Sequence, residues 1–411
     1  MKDPLEEASD EVTPPRAAFI GLTILVVLVG LFVFRPGSRV PLLIIVGIIV
    51  VVMLHEAGHF YTARRAGMKV TEYFVGFGPR IWSFRRGETE YGVKAIPAGG
   101  YVRIIGMNNL EEVDPGDEDR TYRAKPFRSR FVVVIAGVTV NFVLAFVLFA
   151  VVLAAQGRAV GPSTTIAAVG DGTPAAAAGI ERGDRVLSIG STTIGAWDDV
   201  PDALVGRVEV PTPVVVERGG REVVLEATPV ARDDEEQVGC LGISPRTEVE
   251  SVNALEAGPT AASTMVEGAR DTAVAIGRLV SPAGVSEYSR NFTEEDGSGG
   301  VCASGLPDRP VGIVGIVAIG SEIAGSDLWA LLGLLAAINL ILGLFNVVPL
   351  LPFDGGHAAV AIYETVNGKL TRRPDYRADY RKLIPVSATV LILLLALALS
   401  VTFLDVRDLF N

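Results

Sequence analysis

The sequence predicts a polytopic α-helical membrane protein with about five transmembrane helices, a membrane-associated β-hairpin region and one extracytoplasmic α/β domain. Three observations predict it. Hydrophobic residues make up 49% of the 411-residue chain and its mean hydropathy is +0.42, both high for a water-soluble protein. Apolar runs recur that approach or exceed the ~20 residues needed to cross a bilayer. The net charge is −11, but it is sorted by segment. Residues 61–130 carry 13 Lys+Arg against 9 Asp+Glu, and residues 361–384 carry 6 against 3. Residues 156–327 carry 12 Arg, no Lys and 26 acids. Cations flanking spans mark the cytoplasmic side. The two basic segments are therefore expected inside and 156–327 across the membrane, and no nucleic-acid partner is expected.

Residues 1–16 are an acidic tail with only Lys2 and Arg16 basic. They lack the basic region and cleavage site of a removable signal peptide. Residues 17–34 read as a first span and 41–62 as a second. Residues 70–104 read as strands with glycine-rich corners at Gly76–Pro79 and Pro97–Gly100, giving one or two hairpins. Residues 131–155 read as a third span. Residues 161–230 read as a small α/β module. In it a helix at Pro174–Ala178 stops at Gly179, a strand runs over Arg185–Gly190, and 212–217 and 221–227 form a hairpin.

Residues 231–327 read as an acidic linker with a weakly amphipathic helix near 253–280. Its stretch 284–309 is rich in Gly, Ser and acids and is expected to be disordered. The fourth span begins at 328, and with the Asp-Gly-Gly motif the segment runs to 360. The fifth covers 383–403. This topology puts the N-terminus inside and the C-terminus outside, although Arg35 and Arg39 then lie outside against the bias. It also brings His55 and Asp354 to the same depth. The only cysteines are Cys240 and Cys302, both in the acidic half. A single disulfide and two free thiols both stand open.

The chemistry lies in two motifs. Two of only three histidines fall in His55-Glu56-Ala57-Gly58-His59. Positions i and i+4 share a helix face, so both rings reach one ion. Glu56 projects beside it, where it can take a proton from water. Ionisable groups inside a membrane are costly and are rarely unemployed. Catalytic zinc usually takes a third protein ligand. The best candidate is Asp354, within Asn346-Val347-Val348-Pro349-Leu350-Leu351-Pro352-Phe353-Asp354-Gly355-Gly356-His357. Taken alone, Asp354 reads as a cap for the next helix; coupled to the first motif, it reads as a ligand. Asn346 is a candidate to bind substrate backbone or a developing oxyanion, or is a packing amide. Asn339 reads as packing. Gly137 and Asn141, spaced i, i+4, suit close approach of the third span to the catalytic helix. His357 is expected to begin the next helix and not to bind metal.

With the catalytic helix and the later Asn-x-x-Pro…Asp-Gly-Gly-His motif in view, residues 41–403 resemble the site-2 protease family of intramembrane zinc metalloproteases. Gly137-x-x-x-Asn141-Phe142 and Pro97-Ala98-Gly99-Gly100-Tyr101 resemble further family motifs. The module at 161–230 resembles a PDZ domain through Pro174, Ala178-Gly179-Ile180 and Gly183-Asp184. Tyr73–Pro79 and Arg85–Val93 resemble actinobacterial members. The resemblance implies Zn²⁺ held by His55, His59 and Asp354, with Glu56 as general base. It implies cleavage of single-pass membrane proteins, such as anti-sigma factors or remnant signal peptides, in a bacterial inner membrane. An upstream site-1-type protease would make the first cut outside, and the hairpin region would pair with substrate as an added strand. This chain departs from the pattern in its extra first span, its single PDZ-like module, and Phe353 and Val138 in the motifs. Two other classes are a PDZ-based membrane scaffold, which needs no zinc, and a cation transporter, which needs more intramembrane acids.

Overall fold

The computed structural model describes residue 32 and residues 35–231, 237–292, 309–325, 327–373 and 376–410. The acidic tail and, apart from residue 32, the expected span 17–34 lie outside them. The chain divides into two compact units. The first takes the described residues up to Val152, Gly258–Ile276 and Gly312–Phe403; the second takes Leu153–Ala257 and the remaining segments.

The first unit opens with α1 (Arg39–Arg65), which ends on Arg64 and Arg65. Cations there suit the negative end of the helix dipole. Next come β1 (Val70–Arg86) and β2 (Thr89–Ile104). Each strand folds back at glycines. Residues 73–75 of β1 pair with 100–102 on one side and with 91–93 on the other, while 82–86 pair with 89–93. The outcome is an antiparallel ribbon in the order 100–104, 70–75, 89–94, 80–86. Gly76 and Gly78 both take φ of +83°, which only glycine adopts freely. A Cβ on Gly76 would stand 2.6 Å from the Ile96 carbonyl oxygen. Phe77, Trp82, Phe84 and Ile96 are exposed on this ribbon. Such an apolar surface suits a membrane contact. Next comes α2 (Phe127–Gln156).

The second unit is built on β3 (Arg158–Val169), α3 (Pro174–Ala178), β4 (Arg185–Ile189), β5 (Thr192–Thr193), α4 (Asp199–Leu204), β6 (Thr212–Arg218), β7 (Arg221–Ala227), β8 (Val230–Ala231), β9 (Gly239–Cys240) and β10 (Ile243–Glu250). Its main sheet runs β10-β3-β4-β6-β7 with β5 on β4, over a core that includes Ile166, Val186, Ile189, Val214 and Val216. The expected helix and hairpin are present: Gly179 caps α3 at φ +79°, and Val215 pairs with Val224. Arg218 binds the buried Asp184 at 2.7 Å and holds its carboxyl below the usual range. Cys240 is disulfide-bonded, so the free-thiol reading fails for it; Cys302 lies outside the described residues.

The stretch expected as one acidic linker, 231–327, is more structured than its composition suggests. It supplies β10, which pairs with β3 and extends the sheet beyond residue 230. β10 is an edge strand, and edge strands keep charges facing water, which masks them in sequence. The stretch also supplies α5 (Ala254–Leu279), α6 (Pro282–Arg290) and α7 (Ile313–Ala324). α6 occupies the start of the stretch expected to be disordered; residues 293–308 lie outside the described residues. α7 belongs to the first unit, where Val317 packs with the fully buried Ile44 of α1 and with Leu331.

The chain ends with α8 (Leu328–Val347), α9 (Asp354–Leu370) and α10 (Tyr380–Phe410). Among the described residues, four helices are long and apolar enough to cross a membrane: α1, α2, α8 and α10. They correspond to four of the five expected spans.

Candidate active site

The site begins on α1. An apolar face carries this helix into the unit, and one turn apart on that face stand His55 and His59, both buried. Their rings meet edge to face with centroids 4.8 Å apart, and their Nε2 atoms are 3.2 Å apart. Close approach of α2 seats them. A Cβ on Gly58 of α1 would stand 2.9 Å from the Ala136 carbonyl oxygen. A Cβ on Gly137 of α2 would meet both histidine rings, at 2.7 Å from His55 Cε1. α2 also orients one ring, because His59 Nδ1 donates to the Val133 carbonyl at 2.7 Å.

Asp354 arrives from the far end of the chain. α8 ends at Val347, and a tight turn folds back through Phe353 N–H to Leu350 carbonyl and Gly356 N–H to Phe353 carbonyl, each 3.0 Å. The turn needs its glycines: a Cβ on Gly356 would stand 2.5 Å from the Leu350 carbonyl carbon. Phe353 occupies the N-cap position of α9, so Asp354 is not the cap. Its Oδ2 lies instead 3.2 Å from His55 Nε2 and 3.1 Å from His59 Nε2.

Three ligand atoms thus converge with separations of 3.1–3.2 Å. Atoms held about 2.0–2.1 Å from one tetrahedral zinc stand roughly 3.3 Å apart, so the trio fits that ion. The donor chemistry agrees. Because His59 Nδ1 donates its hydrogen bond to Val133, the neutral ring that binds metal would present its lone pair at Nε2, aimed at a carboxylate oxygen. Converging lone pairs repel unless a cation lies among them. The described residues contain no other group of His, Cys, Asp or Glu with this geometry.

Glu56 stands beside the trio, its carboxyl within electrostatic reach of His55, His59 and Asp354. The outer run of β2 passes directly over it: a Cβ on Gly100 would lie 2.8 Å from Met53 Sδ and 3.5 Å from Glu56 Cγ. Tyr73 of β1 donates its hydroxyl to the Met53 carbonyl at 2.7 Å and packs on Phe60, tying the ribbon to α1.

The other sequence candidates divide. Asn141 is fully buried one turn beyond Gly137, with no partner for either amide atom among the described residues. Asn346 Nδ2 bonds the Leu342 carbonyl of its own helix, and Asn339 does the same to Leu335. His357 lies in the first turn of α9 and outside the trio, with Nδ1 buried and unpartnered. Sequence reasoning missed the Val133 carbonyl and Tyr73. A backbone carbonyl in an apolar run carries no sequence signal, and Tyr73 reads only as a strand aromatic.

Comparison with known proteins agrees with this geometry. Residues 43–378 match Peptidase family M50. The chain is 35% identical over 385 residues to zinc metalloprotease Rip1 of Mycobacterium tuberculosis, covering 84% of this chain and 92% of that protein. It is 34% identical over 381 residues to the Rip1 of Mycolicibacterium smegmatis, covering 84% and 91%. It is 31% identical over 359 residues to metalloprotease MmpA of Caulobacter vibrioides, covering 81% and 88%. Fold, site and relatives together define a zinc-dependent membrane metalloendopeptidase. The chain belongs to peptidase family M50, the site-2 proteases.

Proposed function

We propose that His55, His59 and Asp354 hold the Zn²⁺ and that Glu56 is the general base of intramembrane peptide hydrolysis. The observation that carries this reading is the convergence of three ligand atoms from α1 and α9 at 3.1–3.2 Å, with Glu56 alongside. When bound, zinc supplies the Lewis acidity that makes water a nucleophile near neutral pH. Glu56 takes the proton of the attacking water and returns it to the leaving amine. Val133 holds the tautomer of His59, and Gly137 gives the two rings their room. Asn346 is assigned to substrate backbone through its Oδ1, since its Nδ2 is engaged within α8.

The substrate is a single-pass membrane protein, such as an anti-sigma factor or a remnant signal peptide, already cut outside by an upstream site-1-type protease. Its scissile stretch is extended and adds to the outer run 100–104 of β2. Supporting this, among the described residues that run has a ribbon partner on only one side and lies over Glu56. The module at 161–230 of the second unit is PDZ-like and filters substrates by the size of what remains outside. The disulfide at Cys240 supports an oxidising, extracytoplasmic setting for it. The charge distribution supports the trio lying near the cytoplasmic side, and the bacterial relatives support an inner-membrane setting, for which we keep five spans.

The test is Glu56→Gln in the full-length protein, with a truncated single-pass substrate. Zinc content should stay at the wild-type ratio while cleavage is abolished. Undiminished cleavage would sink the proposal.

A further inference from the structure

Away from the trio, the first unit holds a cavity of about 640 Å³ between the start of α2 and the end of α9. Separate segments send cations to its wall: Lys125 and Arg130 around the start of α2, Lys369 at the end of α9, Arg372 from the turn that ends it, and Arg377 from before α10. Among the described residues one acid, Glu364, lines it, and it is already engaged. Its carboxylate bonds Arg130 and accepts the Ala378 backbone N–H at 2.9 Å. Among the described residues, Lys125, Lys369 and Arg372 face no carboxylate within ion-pair distance.

The way α9 ends is a second observation. Arg373 N–H bonds the Gly368 carbonyl at 2.9 Å, and Arg372 N–H bonds the Lys369 carbonyl at 3.3 Å. This termination calls for a left-handed residue, most often glycine, at position 372. An arginine takes it instead, at φ +55°. A side chain there is strained, and such strain is retained where the residue has a task. Here the strained residue forms part of the cavity wall. The peptide N–H groups at the start of α2 add partial positive charge to the same place. Positive-inside bias spreads cations along loops; it does not by itself converge them on one concave surface.

The cavity lies at the start, Phe127, of a helix long and apolar enough to cross a membrane, which on the proposed topology is headgroup depth. We propose that it binds a phosphate-bearing anion, supplied by a phospholipid headgroup or by free phosphate. α2 carries Val133 and Gly137, and α9 begins with Asp354. An anion joining the start of α2 to the end of α9 braces the two elements that seat the trio.

The test uses full-length protein in phosphatidylcholine nanodiscs with and without phosphatidylglycerol, with retained lipid counted by native mass spectrometry. Inorganic phosphate is titrated in parallel in the discs lacking phosphatidylglycerol. The variant Lys125→Gln/Lys369→Gln/Arg372→Gln is compared with Arg128→Gln/Arg373→Gln/Arg381→Gln, which removes equal charge outside the cavity wall. Wild type and the second variant should retain phosphatidylglycerol, and the first should bind it about a hundredfold more weakly. Arg372→Gly keeps the turn, relieves its strain and should weaken binding about fivefold, so a folding defect cannot mimic the result. Phosphate bound by wild type and lost in the first variant, without lipid retention, supports the proposal with a soluble source. Equal losses in both triple variants, or neither ligand on wild type, overturn it.

Discussion

At the scale of single residues, the site is a problem of room and direction. His55 and His59 can share an ion only if nothing stands between them and α2, and Gly137 is what leaves that space. Gly137→Ala is therefore expected to push the rings apart without unfolding α2. Metal affinity should fall about 10- to 100-fold. Equilibrium dialysis against a zinc buffer measures it, and an unchanged affinity would show that the rings tolerate the methyl group. Direction comes from Val133, whose carbonyl holds the Nδ1 proton of His59 at 2.7 Å. The trio was legible in the sequence, because histidines four apart in an apolar helix have few other uses. The Val133 contact was not, since a carbonyl is contributed by whichever residue the packing of α2 brings there.

At the scale of elements, glycine corners decide how the β-ribbon reaches the site. β1 and β2 each change direction at glycines, which lets residues 70–75 lie between two runs of β2 and lays residues 100–104 over Glu56. Gly76→Ala would place a side chain at φ +83° and 2.6 Å from the Ile96 carbonyl oxygen. A left-handed alanine costs about 1–2 kcal/mol before that clash is counted. Substrate cleavage should drop roughly tenfold while the zinc-to-protein ratio holds, because the atoms nearest a Cβ on Gly76 belong to Ile96 and Lys94 and not to the trio. Loss of zinc along with activity would show instead that the ribbon supports the metal site. The glycine-rich corners were visible in sequence. The double pairing was not, since register depends on how far each strand folds back.

At the scale of the first unit, one buried ion pair links the helices that share the site. Arg130 of α2 and Glu364 of α9 are 6% and 3% exposed and bonded to each other. α2 holds the histidines in place and α9 begins with Asp354, so this pair joins the supports of two proposed ligands to the third. Removing one partner leaves the other charge buried without its counter-ion, at about 3–5 kcal/mol. Glu364→Ala should lower the midpoint of thermal unfolding in detergent, and Arg130→Met/Glu364→Leu should recover most of the loss. If the double variant is as unstable as the single, the pair contributes more than charge compensation.

By itself the sequence determined the class of molecule, four of the helices that can cross a membrane, the zinc chemistry and the identity of its acid and histidine ligand candidates. These follow from local rules: apolar length, charge beside the spans, and ring spacing on a helix. Only the tertiary structure decided what depends on distant segments meeting. It brought Asp354 Oδ2 within 3.2 Å of two rings almost three hundred residues away, and kept His357, three positions further on, out of the set. It placed α7, hidden in an acidic stretch, against α1. Periodicity and composition describe each segment's own preferences, whereas these contacts are set by the shapes the segments present to one another.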